Sequence, residues 1–325
     1  GEFRPAAILG ALAGTFLLAQ LSANDPIVIL SFARTPMGAM QGALSDVSAT
    51  DLGATAIKAA VERAGVKGEE IDRVYMGCVL PAGLGQAPAR QATIKAGLPK
   101  SVQATTVNKV CGSGMQTLIM GAEALAAGTV DLVVAGGMES MTNAPYLAMG
   151  ARSGFRFGDV QLLDAIQRDG LWCAFDACLM GLGTERYTAG GISRDEQDDA
   201  AMKSNQRAAA AIAAGRLADE IVPISIPQRK GDPLVIDSDE GVRASTTMES
   251  LGSLKPAFDK DGTVTAGNAS QISDAGSAIV MMSKREAERR GVKPLGEFVL
   301  TGDFNAPRGR ATFDAIAAKY KDNIP

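Results

Sequence analysis

From residue 27 onward the chain alternates between short apolar runs and longer stretches whose apolar residues fall three and four apart. Residues 27–33, IVILSFA, form a β-rich apolar run of the length of a buried strand. Thr50 then reads as the cap of a helix with an apolar stripe of Leu52, Ile57, Ala60, Val61 and Ala64, closed by Gly65. Residues 74–80 read as a strand. Residues 88–97 read as a short helix with Pro88 at its start and Gly97 after its end. A strand over 102–110, a helix over 113–128 closed by Gly128, and a strand over 131–137 complete this run. Strands alternating with helices predict an α/β protein with a parallel sheet covered on both faces. Past residue 137 the rhythm breaks into Met-, Pro-, Gly- and charge-containing segments with one clear helix over 194–214. That helix is opened by the capping pair Ser193 and Glu196. This stretch reads as an insertion with its own small core. The sheet rhythm returns with a strand over 277–283, a helix closed by Gly291 and a strand over 296–300. No short repeat of the solenoid kind is present.

The two ends depart from this pattern. Residues 1–4 have the look of a vector-derived segment, and residues 5–24 carry no charge. Twenty residues span about 30 Å as a helix, enough for a bilayer. Gly10, Gly14 and the many alanines weaken the membrane reading, and a packed or vector-derived helix is the reading taken. Near the other end, Gly302-Asp303-Phe304-Asn305 resembles a strand-end motif of the endonuclease/exonuclease/phosphatase family. That site requires His, so the tail is read as a strand, a turn and a helix over 311–321.

Composition narrows the function. Of 325 residues 46% are hydrophobic and 21% charged, which fits a globular protein and excludes global disorder or a polytopic membrane protein. A net charge of −4 lacks the basic footprint of a general nucleic-acid binder. Four Cys in a chain of this length make no disulfide scaffold. The 325 residues contain no His, which removes His-ligated metals and imidazole bases from the candidate chemistries of this chain.

Cys111 is the first candidate nucleophile. It lies between a predicted strand and a predicted helix, flanked by Gly112 and Gly114. Unpaired N–H groups and the macrodipole at a helix N-terminus favour an anion, so a thiolate is expected there. Cys78 reads as a packed strand residue. Cys173 and Cys178, five apart, lack the Cys-x-x-Cys spacing of redox or zinc motifs and read as structural. The stretch 262–276 is rich in small polar residues, and Arg229, Lys230 and Arg243 are basic residues of the insertion read as a solvated face.

The motif Asn108-Lys109-Val110-Cys111-Gly112-Ser113-Gly114 resembles the active-site Cys motif of the thiolase family. Further stretches agree in order along the chain. They include Ala33-Arg34-Thr35-Pro36, the segment 83–91, Gly136-Gly137-Met138-Glu139-Ser140-Met141, Asn143-Ala144-Pro145-Tyr146, Lys255-Pro256-Ala257-Phe258-Asp259 and Thr265-Ala266-Gly267-Asn268-Ala269-Ser270. The resemblance spans roughly 26–298 and is nearest to short-chain acetyl-CoA acetyltransferases. It implies a layered α/β fold built from a βαβαβ-type half with an inserted loop domain. Residues 26–137 and 263–300 would form that half, 138–262 the loop domain, with 1–25 and 301–325 outside it. It implies that Cys111 accepts the acyl group and that Leu171, Arg243, Ser250, Ala257, Phe258, Ala266, Gly267 and Ser270 line the coenzyme A channel. It implies acetyl-CoA and CoA as substrates without a separate cofactor or metal. It further implies a homodimer or homotetramer with 83–91 at the dimer contact, a cytoplasmic location, and no nucleic-acid or membrane partner. Two departures stand out. The family's Asn-Glu-Ala-Phe, Gly-His-Pro and second Cys-x-Gly-Gly-Gly motifs do not occur in these residues, and Leu179 precedes Met180-Gly181 where short-chain members carry His. Two activities are therefore expected to compete: Claisen condensation and thiolysis through an acyl-Cys, or a non-catalytic or truncated CoA-binding or assembly module.

Overall fold

The computed structural model describes residues 25–298. The apolar N-terminal segment and the tail helix expected over 311–321 lie outside them. In chain order the elements that position the site are β1 (Ile27–Arg34), α1 (Ala49–Ala64), β2 (Arg73–Gly77), α2 (Pro88–Lys95), β3 (Gln103–Val107), α3 (Ser113–Ala126) and β4 (Leu132–Ser140). After them come β5 (Trp172–Cys173), β6 (Cys178–Leu179), α4 (Met180–Thr188), α5 (Arg194–Ala213), α6 (Met248–Gly252), β7 (Ser273–Ser283), α7 (Lys284–Arg290) and β8 (Gly296–Phe298).

The main sheet runs β8-β1-β7-β4-β2-β3, with Gly38–Ala39 pairing to the start of β7. Only β2 pairs in parallel, with β3 and β4 on its two sides. β7 is antiparallel to both β1 and β4, and β8 is antiparallel to β1. The all-parallel sheet expected from the alternation of strands and helices is thus mixed. Apolar periodicity records which faces of a strand are buried but not its direction. A connection as long as the insertion between β4 and β7 is compatible with either strand direction, so it does not commit β7 to parallel pairing.

Both faces are covered, as the pattern predicts. Val28 and Leu30 of β1, Val74 and Met76 of β2 and Val134 of β4 turn toward Ile57 and its neighbours on α1. Ile27, Tyr75, Val133 and Met281 turn the other way, onto Ala122 and Leu125 of α3. Alternation along each strand supplies one set to each layer. Gly276 of β7 lets α1 sit directly on the sheet, since a Cβ there would lie 2.6 Å from the Leu52 backbone. Helix α1 is capped by Ser48, whose side chain accepts from the Asp51 N–H, and not by Thr50. Thr50 lies in the first turn, where its Oγ1 accepts from Lys95 Nζ of α2 at 2.9 Å. Gly65 closes the helix in the left-handed region at φ 67, as read from the sequence.

The insertion is fastened to the sheet by Arg34 at the end of β1. Its Nη1 and Nη2 donate to Asp239 at 2.6 and 2.9 Å, and its Nε donates to Glu220 at 2.9 Å. The Asp239 side chain is only 3% exposed. Among the described residues no helix is long and apolar enough to cross a membrane.

Candidate active site

The turn between β3 and α3 is built by its own side chains. Asn108 Oδ1 accepts from the Val110 N–H at 3.0 Å, and Asn108 Nδ2 donates to the Val79 carbonyl at 3.3 Å. Ser113 Oγ donates to the Val110 carbonyl at 2.6 Å and accepts from the Lys109 N–H at 2.8 Å. These bonds hold Val110 at φ 48, a region that a β-branched residue rarely adopts. Strain of this kind, ~1–3 kcal/mol, persists where surrounding bonds over-determine the backbone, and it clusters at functional sites. The result places Cys111 exposed, one residue before Gly112, the N-cap of α3.

Packing sets the position of α3. A Cβ on Gly77, the last residue of β2, would lie 2.8 Å from the Gly114 nitrogen. Thr117 Oγ1 donates to the Gly136 carbonyl of β4 at 2.9 Å. The first turn of α3 therefore rests directly on the end of β2 and the middle of β4.

Cys111 opens into a cavity of ≈ 390 Å³ with a mostly apolar wall that includes Met37, Val79, Val110, Met138 and Leu171. Arg34 and Glu139 also border it. The Arg34 guanidinium is committed to Asp239 and Glu220. Burial pushes the Glu139 carboxyl above its ordinary value, although the N–H groups of Val79 and Leu80 pull the other way by donating to it at 2.7 and 3.2 Å. Cys78, whose thiol donates to Glu139 at 3.6 Å, is pushed up to about 12 by burial and by the neighbouring carboxylate. It is a packed thiol, as expected, although it lies one residue past the end of β2 and not within the strand. A second hollow of ≈ 410 Å³ is bordered by Tyr146, Asp164, Arg168 and Trp172 and has no cysteine in its lining.

Of the residues expected to meet coenzyme A, Leu171 lines the Cys111 cavity, at the end of a wide π-type helical turn over Ile166–Leu171. Five others form a separate cluster in the insertion. Ser250 lies in α6 in a capping pair with Thr247, and the Ala257 N–H donates to the Val264 carbonyl at 2.9 Å. Gly267, beside Ala266, packs where Leu251 and Leu254 leave no room for a Cβ. The ring of Phe258 covers Gly181 near the start of α4. Arg243 stands apart, its N–H bound to Asn205 of α5 at 2.9 Å, and Ser270 is exposed beyond Asn268. The cluster reaches the cavity wall through α4, whose Glu185 accepts from the N–H groups of Thr263 and Val264, and through the β5–β6 hairpin that joins α4 to Leu171.

Sequence reasoning assigned no role to Glu139 or Arg34 individually. The one available signal was a lone acidic residue closing an apolar strand, which does not distinguish a surface group from a buried one. Within the small-polar stretch 262–276, Asn268 holds a turn by joining Thr265 to Asp198, and residues 273–276 already belong to β7.

Comparison with known proteins supplies the frame for this geometry. The family profile described as "Thiolase, N-terminal domain" matches residues 27–285. The chain is 51% identical over 270 residues to an acetyl-CoA acetyltransferase of Cupriavidus necator, covering 83% of this chain and 69% of the relative. It is 49% identical over 280 residues to an acetyl-CoA acetyltransferase of Chromobacterium violaceum, covering 85% of this chain and 71% of the relative. A Pseudomonas aeruginosa relative of the same name is 49% identical over 270 residues, covering 83% of this chain and 69% of the relative.

Proposed function

The chain belongs to the thiolase family, and from that premise we propose that it transfers acetyl groups between coenzyme A thioesters through Cys111. The sulfur attacks the carbonyl carbon of acetyl-CoA, the thioester bond to CoA breaks, and an acyl-Cys111 and CoA result. In the complete reaction a second acetyl-CoA loses an α-proton, and its carbanion attacks the acyl-Cys. Acetoacetyl-CoA forms and Cys111 is released. The observation that carries this reading is an exposed cysteine held by a strained turn at the start of α3, facing an apolar cavity. Negative charge that develops on the thioester oxygen is favoured by backbone donors at a helix N-terminus.

Leu171 guides the acyl end, and the cluster of Ser250, Ala257, Phe258, Ala266 and Gly267, with Arg243 and Ser270, carries the rest of CoA. The chemistry calls for no separate cofactor. β3 is an edge strand with Gln103 and Thr105 exposed, next to the segment 83–91, and a second copy is the natural partner for that open ladder. The cytoplasm keeps thiols reduced and suits a catalytic cysteine.

The carbon–carbon step needs a base, and general acid–base catalysis contributes ~10²–10⁴-fold. No His is available within the 325 residues. This polypeptide by itself is expected to become acetylated on Cys111 and to form little acetoacetyl-CoA. Intact mass after incubation with acetyl-CoA checks the first part, with Cys111→Ala as the control. A spectrophotometric assay of acetoacetyl-CoA checks the second. No acetyl adduct on folded protein would remove the acyltransferase reading in favour of a CoA-binding module.

A further inference from the structure

The β5–β6 hairpin holds a feature that acyl transfer at Cys111 does not use. Its strands pair antiparallel with Trp172 opposite Leu179 and Cys173 directly opposite Cys178. Directly opposed residues point to the same face of the ladder with Cβ atoms ~4.5–5.5 Å apart. A disulfide needs Cβ atoms ~3.5–4.5 Å apart and Cα atoms ~4.4–6.8 Å apart. A small adjustment of a two-pair hairpin therefore brings the sulfurs into bonding distance. A spacing of five residues, unremarkable in the sequence, becomes a facing pair because residues 174–177 turn the chain back on itself.

Both cysteines are free thiols, Cys178 buried and Cys173 half-buried. The Cys173 thiol donates to Asp176 Oδ2 at 3.3 Å, and Arg186 Nη1 donates to Cys178 Sγ at 3.6 Å. Among the described residues no group of three or more His, Cys, Asp or Glu is arranged to hold a metal ion, which leaves thiol chemistry to the pair.

We propose that Cys173 and Cys178 are a dithiol modification site that a low-molecular-weight disulfide closes to an intrachain disulfide. Cys173, the accessible member, loses its proton and attacks one sulfur of glutathione disulfide. That S–S bond breaks, and one glutathione leaves and takes up a proton. The Cys178 sulfur, deprotonated in turn, attacks the Cys173 sulfur of the mixed disulfide and displaces the second glutathione, which is also protonated. The two protein thiols are oxidised by two electrons, and one glutathione disulfide is reduced to two glutathiones. The new bond ties the strand that follows Leu171 to the strand that leads into α4.

Both cysteines fall in one tryptic peptide, residues 169–186, between the cleavage sites at Arg168 and Arg186. The full chain carrying Cys111→Ala, which removes the exposed thiol from competition, is treated with glutathione disulfide, alkylated in denaturant and digested. The expected peptide is lighter than its dithiol form by two hydrogens, carries no alkyl group, and returns to the doubly alkylated form after prior reduction. In Cys178→Ser the reaction should stop at glutathione on Cys173, and in Cys173→Ser the buried Cys178 should stay alkylatable in denaturant. The proposal is overturned if glutathione remains on Cys173 when both cysteines are present. It is equally overturned if both residues are recovered alkylated, or if either is found bonded to Cys78.

Discussion

Among single residues, the four cysteines show how position decides reactivity. Cys111 is exposed at a helix start, Cys173 is half-buried, and Cys78 and Cys178 are buried. Iodoacetamide at neutral pH should label Cys111 first, and Cys78, with its thiol pushed up to about 12, only when the fold opens. Labelling read by peptide mass against time checks the order, and a faster reaction at any other cysteine would move the nucleophile. Glu139 gives a pH signature. Burial raises its carboxyl above the ordinary 4.5, so the folded state holds the proton more tightly than the unfolded chain. Its favourable contribution is complete below the unfolded value and is lost as pH rises through the folded one. The stability advantage of wild type over Glu139→Gln should be greatest at acid pH and shrink as pH climbs past 4.5, in urea unfolding followed across pH. The motif at Cys111 was legible in the sequence because it depends on local residues. The buried state of Glu139 was not, since it depends on Val79 and Leu80 just past β2, about sixty residues away in the chain.

At the scale of elements, two strand glycines do different jobs. Gly276 seats α1 on β7, and Gly77 seats the start of α3, with Cys111 just before it, on β2. Gly276→Ala overpacks a buried helix–sheet contact and should cost about 3 kcal/mol, read by urea denaturation. Gly77→Ala should instead displace the first turn of α3. A misplacement of ~1 Å can cost ~10²-fold in rate, so acyl loading of Cys111 should slow by about that factor while the protein stays folded. Unchanged loading in folded Gly77→Ala would show that the α3 start is not positioned through Gly77. The helices and strands before residue 140 were readable with small errors at their ends, because each carries a full apolar period and a cap or a glycine. The β5–β6 hairpin escaped notice because two residues per strand carry no period at all. The direction of β7 escaped because nothing in SAIVMMS differs between parallel and antiparallel pairing.

Across the whole molecule, the insertion and the sheet meet at the Arg34 fork. Removing one partner of a nearly buried ion pair strands the other charge, a loss of ~3–5 kcal/mol. Because the Arg34 side chain keeps some exposure, Arg34→Ala is expected at the lower end, about 3 kcal/mol, and Arg34→Ala combined with Asp239→Ala should lose less than the sum of the two single changes. A double-mutant cycle by chemical denaturation measures the coupling, and additivity would mean the fork does not fasten the two parts. The position of β7 has a further consequence, one for synthesis. This strand fills the place between β1 and β4, yet the ribosome makes it only after the entire insertion. At ~5–20 residues per second, the delay between the emergence of β4 and that of β7 is on the order of ten seconds. Throughout that interval the nascent chain presents two open ladders where its centre will later be, and it is then that a chaperone has most to shield.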